Sequence, residues 1–186
     1  MPNSFARMKC AFSRDIKAWV PPGLRRETDD DIGDMTANSS YIHSMFDDLY
    51  NTEILTLSAS LKNERLDAPH STVRKVSKLC GSWLEIDIMM DGDIVSHVAL
   101  RVQACALGQS SAAILQQGII GATLEEITEA RDALRGMLKA RGDAPSGRFE
   151  KLALLKGVKA YPARHVSTML AFKAAVEAVG AAVKNV

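Results

Sequence analysis

Cysteine is scarce in this chain: three in 186 residues, at no regular spacing. That excludes a disulfide-stapled scaffold and points to a reducing, cytosol-like compartment, so the chain is expected to be cytoplasmic. An excess of charge of either sign is missing too, the formal net charge being +1. A chain so balanced gives no reason to expect nucleic acid or an anionic membrane as partner. No uninterrupted apolar run approaches the ~20 residues of a membrane-spanning helix. A glycine-rich phosphate loop, an acid–base pair of carboxylates and a Ser-His-Asp pattern are all absent. Glu85 and Asp87 share the outward face of a strand and are expected to be solvated.

What is present is patterned hydrophobicity, beginning near Met45. Residues 1–44 are different: Pro21-Pro22, a basic stretch through Arg26, the acidic cluster Asp29-Asp30-Asp31 and little apolar periodicity. They are expected to be a disordered extension or the product of an upstream start codon, with a transit peptide as the alternative. Cys10 falls there, apart from the other two cysteines. Residues 45–186 then read as one domain.

The centre of that domain is a hairpin. Leu84, Ile86, Ile88 and Met90 recur at every second position, as do Ile94, Val98, Leu100 and Val102. Directly paired residues of an antiparallel ladder share a face, so the register must match these parities. A two-residue turn at Asp91-Gly92 mixes the faces. A three-residue turn, Asp91-Gly92-Asp93, restores them by pairing Leu84 with Leu100 and Ile86 with Val98. The same register sets Cys80 opposite Ala104, which brings Cys80 and Cys105 to one end of the sheet, roughly 5–8 Å apart at Cβ.

Around the hairpin, His70 to Lys78 alternates enough for a third strand, and Tyr50, Ile54, Leu57 and Leu61 recur at helical spacing. Ala112 to Ile120 reads as a helix capped by Ser110 or Ser111. Thr123-Leu124-Glu125-Glu126 has the spacing of a capping box. It opens a helix with Ile127, Ala130, Leu134, Met137 and Leu138 on one side, ending near Gly142. Phe149 to Leu155 is a short helical piece stopped by Gly157, and Pro162 opens the last helix. The fold class is α+β: a small antiparallel three-stranded sheet with helices packed on it.

Two thiols far apart in sequence and adjacent in space are a ligand pair, a redox pair or an accident. Cys105, between a strand and a helix, gains from the helix dipole as a thiolate, the form that attacks and that binds metal. Two thiolates alone do not close a zinc or iron–sulfur site, which wants four ligands, or three and an exchangeable one. Of the histidines, His97 and His70 are expected at the surface of strands, and His165 in the first turn of the last helix.

Cys80-Gly81-Ser82 after a strand, Cys105 at the strand-to-helix junction, Gly108-Gln109-Ser110-Ser111-Ala112-Ala113 and Gly121-Ala122-Thr123-Leu124-Glu125-Glu126 together resemble the IscU/NifU-type iron–sulfur cluster assembly scaffolds and the related SufU proteins. The resemblance spans about Met45 to Val183 and implies the SufE/NifU (IscU-like) fold. It implies a transient iron–sulfur cluster, or a zinc or iron ion, on Cys80 and Cys105. It further implies a cysteine desulfurase and acceptor apoproteins as partners, and no enzymatic activity of the chain's own. Where the family has an aspartate this chain has Ser82, and where it has a third cysteine it has Ser167. A third ligand then falls to His165, to Ser167 or Ser82, to an outside thiol or water, or to a second chain in a homodimer. The Cys-Gly-Ser pattern also resembles SufE-type acceptors, in which Cys80 would carry a persulfide. A metal-free interaction module is the third reading.

Overall fold

The computed structural model describes residues 49–185, so the expectations for residues 1–44 lie outside the described residues. Three antiparallel strands, β1 (Ser71–Val76), β2 (Trp83–Asp91) and β3 (Ile94–Gln103), form one sheet in the order β1-β2-β3. The helices are α1 (Thr52–Ser60), α2 (Ala106–Gly118), α3 (Leu124–Leu138) and α4 (Pro162–Asn185), with a 3-10 segment, Gly147–Ala160, before α4. This is the α+β architecture that the alternating and helical periods predict.

The hairpin keeps its predicted faces by a different device. The turn has two residues, Gly92-Asp93, flanked by the pair Asp91–Ile94, and Gly92 takes the positive φ of 57° that primed turns need. On its own that turn would set the faces out of step. A bulge beyond Met90–Val95 inserts Ser96, so that Met89 pairs with His97 and the rest of the ladder runs in even register. Leu84 therefore meets Val102 and Ile86 meets Leu100, two residues on from the expected partners. The bulge also swaps the residue that turns inward: Val95 is fully buried and Ile94 is exposed.

One face of the sheet is covered by α4. Ile86, Ile88 and Leu100 are fully buried there, and Ser71 Oγ donates to the carbonyl of Ala178 at 2.6 Å. α4 is apolar and long enough to cross a membrane by length and composition alone, but 61% of that stretch is buried inside the domain, as in a core helix. Phe172 meets Phe149 of the 3-10 segment edge-on at 5.3 Å. The 3-10 segment runs straight through Gly157, where the sequence predicts a stop, because Leu152, Leu155 and Val158 are all drawn into the core.

The outer face carries charge that is paired rather than solvated. Arg101 bonds both Glu85 and, at 3.0 Å, Asp87; Arg65 reaches Glu85 at 3.1 Å. Thr72 Oγ1 and the Leu66 N–H donate to Asp87 as well. Asp87 is thereby buried, correcting the expectation from its outward parity. Arg101 beside it is the chief reason that the Glu85 carboxyl sits below its usual range. For Asp87, burial pushes upward most strongly, yet Arg101, Thr72 and the Leu66 amide together hold it low. These bonds, with Glu64 N–H to the Leu100 carbonyl and a two-way amide clasp between Gln116 and Lys62, tie residues 62–66 to β3 and α2.

The Thr123–Glu126 capping box forms as predicted. α3 ends at Leu138 rather than near Gly142, because Ala140 takes a φ of 59° and the Arg141 N–H returns to the Gly136 carbonyl, a Schellman closure made without glycine. His97 is exposed as expected, whereas the His70 ring is half-buried and its Nδ1 accepts the Met90 N–H.

Two outcomes follow from this packing. Ile86→Asp, a charge in the fully buried face, is expected to cost about 4 kcal/mol or more and to abolish cooperative thermal unfolding; near-wild-type melting would invert the face assignment. Arg101→Met leaves Asp87 buried without its cation and is expected to cost about 3 kcal/mol at pH 7 in urea unfolding. Glu85 and Asp87 titrate lower in the folded chain than in the unfolded one. Their stabilisation is therefore complete above about pH 5 and is lost as pH falls through the folded values. That acid slope should be much flatter in Arg101→Met.

Candidate functional site

The β2–β3 ladder stops at the pair Trp83–Gln103, and both strands then hand over to short connections. Cys80 lies three residues before this last rung and Cys105 two residues after it. The two thiols thus share one end of the sheet, although the register that leads there is not the one the spacing predicts.

Cys80 belongs to the turn between β1 and β2. The Ser77 N–H donates to the Ser82 carbonyl at 2.7 Å and the Gly81 N–H to the Ser77 carbonyl at 2.9 Å, which folds Lys78 to Gly81 outward. Gly81, at a φ of 68°, supplies the left-handed residue that closes this loop. Cys80 is exposed, while the flanking Ser77 and Ser82 are buried. Its S–H donates to Ser77 Oγ at 3.3 Å, and Sγ lies 3.1 Å from Ser82 Oγ. The hydroxyl of Ser77, then the hydroxyl and backbone of Ser82, hold the Cys80 thiol below its ordinary value; the slight burial opposes this, and the Arg164 guanidinium adds to it. Ser77 carried no signal in the sequence beyond its nearness to Cys80, and its role became visible only with the turn.

Cys105 is the N-cap residue of α2, which starts at Ala106, six residues ahead of the predicted helix. Ser110 and Ser111 are therefore buried inside the helix, not caps; Ser110 Oγ donates to the carbonyls of Ile54 and Ala106. Cys105 is half-buried, and its Sγ lies 3.7 Å from Ser167 Oγ. Ser167, buried in the first turns of α4, donates its own proton to the Arg164 carbonyl at 3.0 Å. The Arg164 backbone thereby anchors the serine beside Cys105.

His165 is not brought to the thiols. It is two residues from Ser167 on a helix, a spacing that points side chains to different sides, and its Nε2 lies 3.1 Å from the Val158 carbonyl of the 3-10 segment. Among the described residues no group of three or more His, Cys, Asp or Glu side chains could hold a metal ion. What stands at this end of the sheet is two soft thiols and three serine hydroxyls. Hydroxyls are poor ligands for soft metals, so the residues present do not make up the four-ligand shell of a resident zinc or iron–sulfur centre. They do fit a half-shell, open to ligands from outside.

No protein-family model matches the chain. Among solved structures, the N-terminal NifU-like protein from Brucella abortus, a nitrogen-fixing type, superposes with a TM-score of 0.72 and 38% identity, covering 75% of this chain and 97% of that one. Among curated proteins, the iron–sulfur cluster assembly scaffold protein IscU of Thermotoga maritima is 28% identical over 73% of this chain and 95% of its own length. The zinc-dependent sulfurtransferase SufU of Bacillus subtilis is 24% identical over 69% of this chain and 87% of its own length.

The site depends on a close approach of α2 to α4. A Cβ on Gly108 would fall 2.8 Å from Ala104 Cβ and 3.3 Å from the Ser167 carbonyl oxygen. Gly108→Ala is expected to lower stability by about 1–3 kcal/mol in urea unfolding, as overpacking does. It should also speed alkylation of Cys105 by prising its helix from Ser167. Unchanged stability together with unchanged Cys105 labelling would contradict this packing.

Proposed function

Because the chain belongs to the IscU/NifU-type family of iron–sulfur cluster assembly scaffolds, we propose that it serves in iron–sulfur cluster assembly as a scaffold-like protein, with Cys80 and Cys105 as thiolate ligands to its cargo. The cargo is a nascent iron–sulfur cluster, or a zinc or iron ion on the way to one. The observation that carries this reading is the placement of both thiols just past the same last rung of the sheet, with the first turn of α4 against them. Since Ser82 and Ser167 stand where the resemblance implies an aspartate and a cysteine, the remaining coordination comes from outside the domain: a partner's thiol, water or a second copy of the chain. The chain is not an enzyme in its own right. It works in the cytoplasm, receiving sulfur from a cysteine desulfurase and passing the assembled cargo to acceptor apoproteins.

A second reading has its own support in the exposure of Cys80 and the two hydroxyls bonded to its sulfur, and in the sulfurtransferase among the relatives. In it the Cys80 thiolate attacks the outer sulfur of a donor persulfide. The donor's S–S bond breaks, its cysteine leaves as thiolate with the electron pair, and the new S–S bond sits on Cys80. No oxidant is consumed. Cys105 is then a resolving or structural thiol.

Anaerobic reconstitution with iron, cysteine and a desulfurase separates the two. The scaffold reading expects a visible sulfur-to-iron charge-transfer spectrum that is lost in Cys80→Ser and in Cys105→Ser. One added sulfur mass on Cys80 with no metal retained would replace it by the acceptor reading. If neither appears while desulfurase still binds, the domain is an interaction module of the same fold.

A further inference from the structure

β1 is an edge strand, since the sheet runs β1-β2-β3. The Ser77 N–H bonds the Ser82 carbonyl, so alternation turns the backbone groups of Ser71, Val73 and Lys75 toward β2. The N–H and C=O groups of Thr72, Arg74 and Val76 then face the open side, and among the described residues no backbone bond is made there. Open edges are ordinarily blunted by proline, a bulge or a covering element. This one ends in Val76, which is 56% exposed.

Beside that edge lies a cleft of about 450 Å³, lined by Lys75 and Val76 of β1, by Arg131 of α3 and by α4. It continues along α4 into a second cleft that shares Val176 and Glu177 with it. Val166, Leu170, Lys173, Glu177, Gly180 and Lys184 recur every three or four residues, so one stripe of α4 runs through both. The charge of this groove is one-sided. Lys75, Arg131, Lys173 and Lys184 line it against a single acid, Glu177. Lys75 is bound to Glu177 and Arg131 to Asp132, while Lys173 and Lys184 enter no ion pair among the described residues. Arg74 stands on the same edge, 4.6 Å over the Trp83 ring. A second copy pairing edge to edge would bring Arg74 and Lys75 against like charges, which disfavours the chain's own β1 as occupant.

We propose that the open edge of β1 and the groove beside it dock an extended, acidic segment of a partner protein. The segment adds a fourth strand to the sheet, its backbone pairing with Thr72, Arg74 and Val76. Side chains at every second position face α4, where carboxylates meet Lys173 and Arg131 and aliphatic groups meet Leu170 and Val176. The groove begins at Val76 and Val166, next in sequence to Ser77 and Ser167, so the docked segment ends beside the thiol site. The proposal does not depend on what the thiols carry.

The test is fluorescence anisotropy of the full chain with a labelled peptide, Asp-Asp-Val-Val-Asp-Asp, six residues long like β1. Either face of this peptide, when extended, carries both acid and aliphatic groups. Saturable binding is expected, suppressed by 1 M salt as surface charge is and not shared by Lys-Lys-Val-Val-Lys-Lys. Lys173→Glu, at an exposed position, should weaken it about tenfold or more. Val76→Pro removes an N–H that faces the open side and spares the ladder, so it should abolish binding with melting little changed. If Val76→Pro does not fold, the acidic peptide N-methylated at every amide removes the donors from the other partner, and it should not bind. No saturable binding of the acidic peptide, binding indifferent to Lys173→Glu, or equal binding of the N-methylated form overturns the proposal. Dimers in sedimentation that Val76→Pro dissociates would give the edge to a second copy. Peptide binding that appears only in the combined Asp29→Asn, Asp30→Asn and Asp31→Asn variant would give it to the chain's own acidic cluster. Either outcome overturns the partner segment as occupant.

Discussion

Everything at the thiol end depends on α4 lying across the sheet. Its alanine-rich face, with Ala174, Ala175 and Ala178 fully buried, lets the helix come close to the strands, and Phe172 then fills the space toward the 3-10 segment. Small residues set the distance, and the bond from Ser71 to the Ala178 carbonyl sets the slide along the helix. Once those are set, the start of α4 has one place to go: past the last rung of the ladder, with Ser167 against Cys105. A helix shifted by one turn, about 5.4 Å, would leave both cysteines on an open sheet edge with no third element to face them.

The same constraint explains why the site is asymmetric. Cys80 rides on an exposed turn and has two buried hydroxyls bonded to its sulfur, while Cys105 caps a helix and is half covered. Two thiols of equal chemistry thus meet a ligand from different sides, one accessible to a large partner and the other recessed. On the proposed reading, with Cys80 and Cys105 as ligands, serines in place of the aspartate and third cysteine leave the coordination shell open. A closed, permanent metal centre is not what such an arrangement favours. A place where sulfur and metal are taken up and released is closer to its chemistry.

Much of the fold was legible in the chain, and the reasons differ element by element. The apolar alternation of β2 and the stripe of α3 are dictated by burial, the strongest and least local signal, and both formed as expected. The register of the hairpin was legible only as a parity. Burial requires matched faces, but a three-residue turn and a two-residue turn with a bulge satisfy that equally, and only the packing of Val95 against the rest of the core decides between them. The start of α2 was misplaced because two serines before an alanine run have the composition of a cap, yet Ser110 finds its acceptors in Ile54 and Ala106 and stays helical. Glu85 and Asp87 were misjudged because strand alternation says which side a residue faces, not whether a loop returns to cover that side. Of the site, the two cysteines and the two substituting serines could be picked out by motif. Ser77 could not, since a hydroxyl three residues away acquires meaning only when the turn is in place.

The account turns on two sulfurs acting as one ligand pair, and X-ray absorption at the zinc edge examines that most directly. The full chain, loaded with one equivalent of zinc under nitrogen, is expected to show two sulfur scatterers at about 2.3 Å with oxygen or nitrogen completing the shell. Cys80→Ser and Cys105→Ser should each remove one of them. A shell of oxygen and nitrogen alone, or a sulfur count untouched by either substitution, would contradict it.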